Sequence, residues 1–218
     1  MKQIKIAPSI LAADFRRLAD DIRRVEDAGA DLIHIDIMDA HFVPNLSMGP
    51  GIIESVRSVT KLHFDVHLMM DNPQRYLHQF KEAGADGITV HMEIFPDPDE
   101  VLDEIGTLRM ARGLSLNPDM PIRRLSGRLA KVDRLLVMCV FPGFGGQSFI
   151  PESLSRIREA RDLLDVEGRV LTELEVDGGV SVKNAAAIRE AGADLLVGGT
   201  AIFGASNARE TIRLLRGH

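Results

Sequence analysis

The chain has 218 residues, 45% hydrophobic and 27% charged, enough for one sizeable core and without a run apolar enough to span a bilayer. Asp and Glu number 32 against 26 Lys and Arg, a formal charge of −6, and the basic residues are spread through helix-like stretches. That pattern argues against nucleic acid as a partner but leaves an anionic small molecule open, because backbone N–H groups can hold a phosphate whatever the total charge.

The N-terminus, MKQIKIAPSILAADF, alternates Ile with polar residues and then meets Asp14 and two arginines. It lacks the unbroken apolar centre of a secretory signal and predicts a first strand over 4–10. Further strands are predicted over 32–38, 63–69, 87–91, 113–117, 135–140, 171–177 and 194–199, where short apolar, β-branched runs occur. Apolar residues at three-to-four spacing predict helices between them, for example over 14–28 and 152–165.

DAGAD (27–31) and two copies of EAGAD (82–86, 190–194) each close a helix pattern and open a strand, with the glycine supplying a left-handed cap. Their separations are close to multiples of about 55 residues, the length of two strand–helix modules. Eight alternations point to a closed (β/α)8 TIM barrel, one domain over 1–218. An open doubly wound sheet is the alternative, but it would have fewer strands and a glycine-rich turn after the first, and none follows here.

Barrel chemistry sits where strands end, and strand residues two apart share a face. His34, Asp36 and Met38 therefore point one way on strand two, as do Asp65, His67 and Met69 on strand three; strand seven ends at Asp177 and strand six carries Met138. If these faces look into the barrel mouth, His34, Asp36, His67 and Asp177 converge. Two imidazoles and two carboxylates suit a divalent transition ion, Zn2+, Fe2+, Mn2+ or Co2+, better than Mg2+ or Ca2+. Four such groups at one end of three strands are hard to explain as packing, since unpaired buried carboxylates are costly.

After strand six, PGFGGQSF (142–149) has glycines that let backbone approach a ligand, with Phe144 able to cover it; alternatively the segment is a mobile surface turn. Gly178-Gly179 after strand seven and Gly198-Gly199-Thr200 after strand eight stand where such barrels commonly bind phosphate. Met38, Met69 and Met138 would make a dry, polarizable lining around a metal site. His91 fits a pocket or a core role equally, and Asp39, His41 and Asn45 either shape the loop after strand two or touch substrate. Cys139, out of phase with Met138, is read as a small core residue; as the only cysteine it cannot form an internal disulfide, which fits a reducing cytoplasm. None of the six lysines ends a strand, which disfavours a Schiff-base aldolase.

The segments PSILAADF (8–15), HIDIMDAHFVPN (34–45), DVHLMM (65–70), PGFGGQSFIP (142–151) and EVDGGV (175–180) closely resemble the ribulose-phosphate 3-epimerase family, in the same order and over nearly the whole chain. The resemblance implies a (β/α)8 barrel of the pentose phosphate pathway that interconverts D-ribulose 5-phosphate and D-xylulose 5-phosphate with one divalent metal ion, as a homo-oligomer. By similarity His34, Asp36, His67 and Asp177 match the metal ligands, with Asp36 and Asp177 also the acid/base pair. Ser9 and His67 match positions near the sugar. Met38, Met69 and Met138 match the lining of the reacting centre, and Gly146, Gly178, Gly179, Gly199 and Thr200 match the phosphate segments; Gly143, Phe144 and Gly145 belong to the same substrate loop.

Two positions depart from the family pattern. Ala40 replaces a usual glycine, and Phe141 stands where a polar residue commonly precedes Pro-Gly-Phe-Gly-Gly, which leaves a six-carbon ketose such as D-allulose 6-phosphate open as the substrate. Three further rivals are an aldose–ketose isomerase, a decarboxylase on a related barrel and a non-catalytic phosphosugar-binding protein. The decarboxylase would need a lysine where this chain has Met38.

Overall fold

Residues of each apolar run lie in an extended conformation between amphipathic segments, and neighbouring runs pair side by side. The computed structural model describes residues 3–95 and 97–218. Its strands are β1 (Lys5–Pro8), β2 (Leu32–Met38), β3 (His63–Met69), β4 (Gly87–His91), β5 (Ala111–Leu116), β6 (Arg134–Met138), β7 (Glu173–Asp177) and β8 (Leu195–Gly198). They form one parallel sheet in the order β1-β8-β7-β6-β5-β4-β3-β2. The open edges β1 and β2 meet through a parallel bridge between Ser9 and His34, and the Asp31 N–H donates to the Ile6 carbonyl at 2.9 Å. Around the sheet run α1 (Leu18–Asp27), α2 (Pro50–Arg57), α3 (Leu77–Ala83), α4 (Asp99–Thr107), α5 (Ser153–Val166), α6 (Ala185–Glu190), α7 (Thr200–Phe203) and α8 (Ala208–Arg216). This is the expected TIM barrel.

Strand periodicity located β2, β3 and β4 to the residue; other ends shifted for local reasons. Beyond Pro8 the first strand turns into a short 3-10 segment, Ile10–Ala12, as the Ala13 N–H folds back onto the Ile10 carbonyl. The helix expected from residue 14 begins as a 3-10 turn over Phe15–Arg17 that Asp14 caps by accepting from the Arg16 N–H. Strand seven starts at Glu173 rather than 171, because Thr172 N–H closes a turn on the Arg169 carbonyl and Leu171 is exposed.

The repeated AGAD segments have a shared structural purpose. Gly29, Gly84 and Gly192 take the left-handed conformation that ends the preceding helix. The aspartate that follows then accepts the backbone N–H of the second residue of the neighbouring odd-numbered strand: Asp31 from Ile6 at 2.8 Å, Asp86 from Phe64 at 2.9 Å and Asp194 from Leu174 at 3.0 Å. Asp133, outside any AGAD copy, does the same for Arg112 at 2.9 Å. An arginine completes each clamp: Arg216 on Asp31, Arg57 on Asp86, Arg112 on Asp133 and Arg161 on Asp194. The barrel is thus built from four strand–helix–strand–helix quarters, each pinned at its base.

Alternation divides the strand side chains. Ile33, Ile35 and Ile37 of β2 and Phe64, Val66 and Leu68 of β3 join the large apolar layer under the helices. Their neighbours point inward, where Ala7, Leu32, Leu195 and Val197 form a small separate cluster, Met38 with Met69 and Leu136 with Met138 belong to two others, and buried polar residues form a further layer. Cys139 belongs to the outer layer, as its phase predicts, and burial pushes its thiol up to about 12, which makes it inert.

Candidate active site

Inward alternation on β2 and β3 carries His34, Asp36, Met38, His67 and Met69 into the barrel, and β7 contributes Asp177 at its last position. Ligand atoms of His34, Asp36, His67 and Asp177 all lie within 4.8 Å of one another. Asp36 is central: its Oδ1 is 3.3 Å from His34 Nε2 and 3.3 Å from His67 Nδ1, while its Oδ2 accepts from Ser9 Oγ at 2.6 Å. The four residues expected from strand alternation are therefore brought together.

The donor set fits a metal ion. His34 Nε2 is buried, 3.3 Å from Asp36 Oδ1, and has no hydrogen-bond partner among the described residues. A buried ring nitrogen left in that state is costly unless a cation takes its lone pair. His34 Nδ1, on the far side, lies 2.7 Å from Asp65 Oδ2, and this carboxylate fixes the proton on Nδ1 and turns Nε2 toward the cluster.

Charge balance points the same way. Burial, reinforced by the negative Asp36, pushes the Asp177 carboxyl up to about 7. Burial also opposes ionisation of Asp36, but His34 and His67 outweigh it and hold that carboxyl well below the usual range. Burial lowers His67 to about 4, which keeps this imidazole neutral, whereas at His34 burial is outweighed by Asp36, Asp65 and Glu175, which hold that imidazole well above its ordinary value, so a metal bound there would displace a proton. Carboxylates crowded in a dry cluster draw in positive charge, and a divalent ion supplies it.

Beneath this cluster lies a polar layer that strand-end reasoning missed. Arg134, nearly fully buried, donates to Asp65 at 2.5 Å and to Glu173 at 3.0 Å, and its Nε is 3.7 Å from Glu175. Glu173 also pairs with Lys5. Burial next to Asp65 pushes Glu175 up to about 7. The available signal was alternation on strands six and seven, where Arg134 and Glu173-Glu175 share the inward phase with Met138 and Asp177.

Above the cluster opens a cavity of about 660 Å³. Ser9, Asp36 and Asp177 reach its floor, and Met38, Met69 and Met138 wall it, all three methionines being buried. His34 and His67 lie below that floor, fully buried. One side is made by the loop after β6, with Gly143, Phe144, Gly145 and Gly146, and by Gly178, Gly179, Gly199 and Thr200 after β7 and β8. These loops interlock: Gly179 has φ +65°, and a Cβ there would stand 2.2 Å from the Phe149 backbone nitrogen. Asn45, Gln147 and Ser181 also line the cavity. Asn45 Nδ2 donates to the Gly143 carbonyl at 2.6 Å, tying the loop after β2 to the loop after β6, while Asp39 accepts the His41 and Phe42 N–H groups of its own loop and the Asp71 N–H of the loop after β3.

A model of the ribulose-phosphate 3 epimerase family matches residues 5–203. The chain belongs to that family. A ribulose-phosphate 3-epimerase of Bacillus subtilis (strain 168) is 46% identical over 214 residues, covering 98% of this chain and 99% of its own length. One from Synechocystis sp. is 46% identical over 217 residues, covering 99% and 94%. Among solved structures, a 3-hexulose-6-phosphate synthase superimposes with a TM-score of 0.70 at 19% identity over 98% of both chains, a likeness of fold.

Against the family pattern, the two departures have clear settings. Phe141 is 53% exposed and stands outside the residues that line the cavity, so its ring does not narrow it. Ala40 has φ +60°, the left-handed conformation for which glycine is the ordinary choice.

Proposed function

We propose that this enzyme interconverts D-ribulose 5-phosphate and D-xylulose 5-phosphate by proton transfer at C3, using one divalent ion held by His34, Asp36, His67 and Asp177. The observation that carries the reading is the convergence of these four donor groups, two at and two just beneath the floor of a methionine-walled cavity. The mixed nitrogen and oxygen set favours Zn2+, Fe2+, Mn2+ or Co2+. When bound, the ion acts as a Lewis acid that stabilises negative charge on the C2 and C3 oxygens of the sugar.

The protein's own groups perform the proton transfers. Inverting a carbon next to a carbonyl needs one group to remove the proton and a second to return it on the opposite face. Asp36 and Asp177 are the two carboxylates that reach the cavity floor, one from β2 and one from β7. Asp36 serves as base toward ribulose 5-phosphate and Asp177 delivers the proton to the other face of the planar enediolate; the roles exchange in reverse. Ser9 Oγ holds Asp36 Oδ2 in place. Met38, Met69 and Met138 keep water from the reacting carbon. Glycine backbone at 143, 145, 146, 178, 179 and 199, with Thr200, closes round the phosphate end, and Phe144, 56% exposed at the rim, covers the sugar. Family membership further supports a homo-oligomer in the cytoplasm.

Turnover in D2O tests the reaction. Stripped protein restored with Zn2+, Mn2+ or Co2+ and given five- and six-carbon ketose phosphates should place deuterium at C3, fastest with the five-carbon sugar. Label only at C1 or C2 would identify an isomerase and overturn the reading; binding without exchange would identify a phosphosugar-binding protein.

A further inference from the structure

His91 ends β4 and is fully buried, but it neither belongs to the four-residue cluster nor lines the cavity. Its Nε2 lies 2.8 Å from His67 Nε2. The ring planes differ by 22° and the centroids are 4.9 Å apart, so the imidazoles meet head-on, nearly coplanar, as a nitrogen-to-nitrogen hydrogen bond requires. On its other side His91 Nδ1 is 3.2 Å from Glu93 Oε2, and Glu93 Oε1 accepts the Asn117 N–H at 2.7 Å. The Phe42 ring packs on His91 with centroids 4.6 Å apart.

Two ring nitrogens in hydrogen-bond contact share one proton between them. His67 presents Nδ1 to Asp36 Oδ1, the side on which the cluster's donor atoms meet. A neutral imidazole that ligates through Nδ1 carries its proton on Nε2. That proton is donated to His91 Nε2, which leaves the His91 proton on Nδ1, pointing at Glu93. Every ring nitrogen then has a partner.

We propose that His91 and Glu93 are positioning residues that lock His67 in its Nδ1-ligating tautomer, an inference that rests on the ligand set proposed above. The two histidine ligands are thereby supported differently. His34 has a carboxylate directly behind it, Asp65 at 2.7 Å, with Arg134 neutralising that charge. His67 has an imidazole interposed before its carboxylate, which keeps a further negative group away from Asp36 and Asp177 and still aligns the ring.

The test uses metal-stripped full-length protein. Zn2+ affinity is measured by chelator competition and ligand geometry by the visible absorption of the Co2+ form, for wild type, His91→Phe, His91→Gln and Glu93→Gln. His91→Phe should weaken Zn2+ binding about ten- to hundredfold and alter the Co2+ spectrum. His91→Gln, which restores an acceptor, should recover most of the affinity, and Glu93→Gln should fall between. A His91→Phe protein within twofold of wild type with an unchanged spectrum overturns the relay, and so does His91→Gln as weak as His91→Phe, which would assign the loss to packing. Should His91→Phe not fold, 15N NMR of the wild-type Zn2+ form decides: protonated His67 Nε2 and His91 Nδ1 support the relay, and protonated His91 Nε2 overturns it. Wild type that binds no metal overturns the ligand set itself, whereas metal-binding wild type with an indifferent His91→Phe overturns the relay alone.

Discussion

Asp65 Oδ2 stands 2.7 Å from His34 Nδ1 and, through its other oxygen, 2.5 Å from Arg134. One buried carboxylate therefore both orients a proposed metal ligand and neutralises a guanidinium at the centre of the barrel. Asp65→Ala should cost about 3–5 kcal/mol of stability, because Arg134 loses its nearest counter-charge while remaining buried. It should also weaken metal binding about ten- to hundredfold by freeing the His34 ring. Denaturant unfolding of the stripped protein reads the first effect and chelator competition the second; a variant as stable as wild type would show that Glu173 and Glu175 suffice for Arg134.

Asp177 is the proposed ligand that remains partly open to the cavity, which suits a group that must meet the reacting carbon. Asp177→Asn should lower turnover by at least about 10²–10⁴, the usual contribution of a general acid or base, with sugar phosphate still bound through the glycine loops. Steady-state kinetics with equilibrium binding checks this. Undiminished turnover would contradict the two-carboxylate scheme.

Acid should destabilise the fold through groups outside the cluster. Burial raises Asp133 and Glu173, but Arg112 overcomes it at Asp133, and Lys5 with Arg134 does so at Glu173, so both carboxyls end below their ordinary values. A carboxyl lowered on folding adds stability that is complete above its unfolded pKa, about 4, and is lost as pH falls through the folded value. Urea midpoints should lose this contribution as pH falls below about 4, and Asp133→Asn should remove part of that loss. Midpoints unchanged down to pH 3 would contradict the assignment.

Ala40, at φ +60°, bears a steric cost that glycine avoids, partly offset by glycine's greater loss of backbone freedom on folding. Ala40→Gly should stabilise the protein by up to about 1 kcal/mol and leave the Asp39 contacts in place. Thermal melts test this, and a clear loss of stability would mean that the Ala40 methyl contributes packing.

How much of this was legible in the sequence depends on which physical signal each feature leaves. His34, Asp36, His67 and Asp177 could be found because strand alternation fixes side-chain direction and barrel chemistry is confined to strand ends. The AGAD copies revealed the barrel's repeating unit, although Asp133 performs the same clamp with no copy around it. Arg134, Glu173 and Glu175 were not foreseen, since an inward charge near the base of a strand reads locally like a strand boundary, and only the closed barrel, which pairs β6 with β7 and brings Asp65 of β3 across to Arg134, shows that they meet. His91 stayed ambiguous because its role depends on ring orientation relative to His67, which no spacing rule conveys. Phe141 raised a question about sugar size because the direction of a loop side chain cannot be read from spacing; its ring lies outside the cavity lining.

The central claim is that four side chains from three strands meet on one cation. X-ray absorption fine structure of the stripped protein reconstituted with one equivalent of Zn2+ tests it most directly. Nitrogen and oxygen ligands at about 2.0–2.2 Å with the outer-shell scattering of two imidazoles are expected. A shell of oxygens alone, with no imidazole contribution, would contradict it.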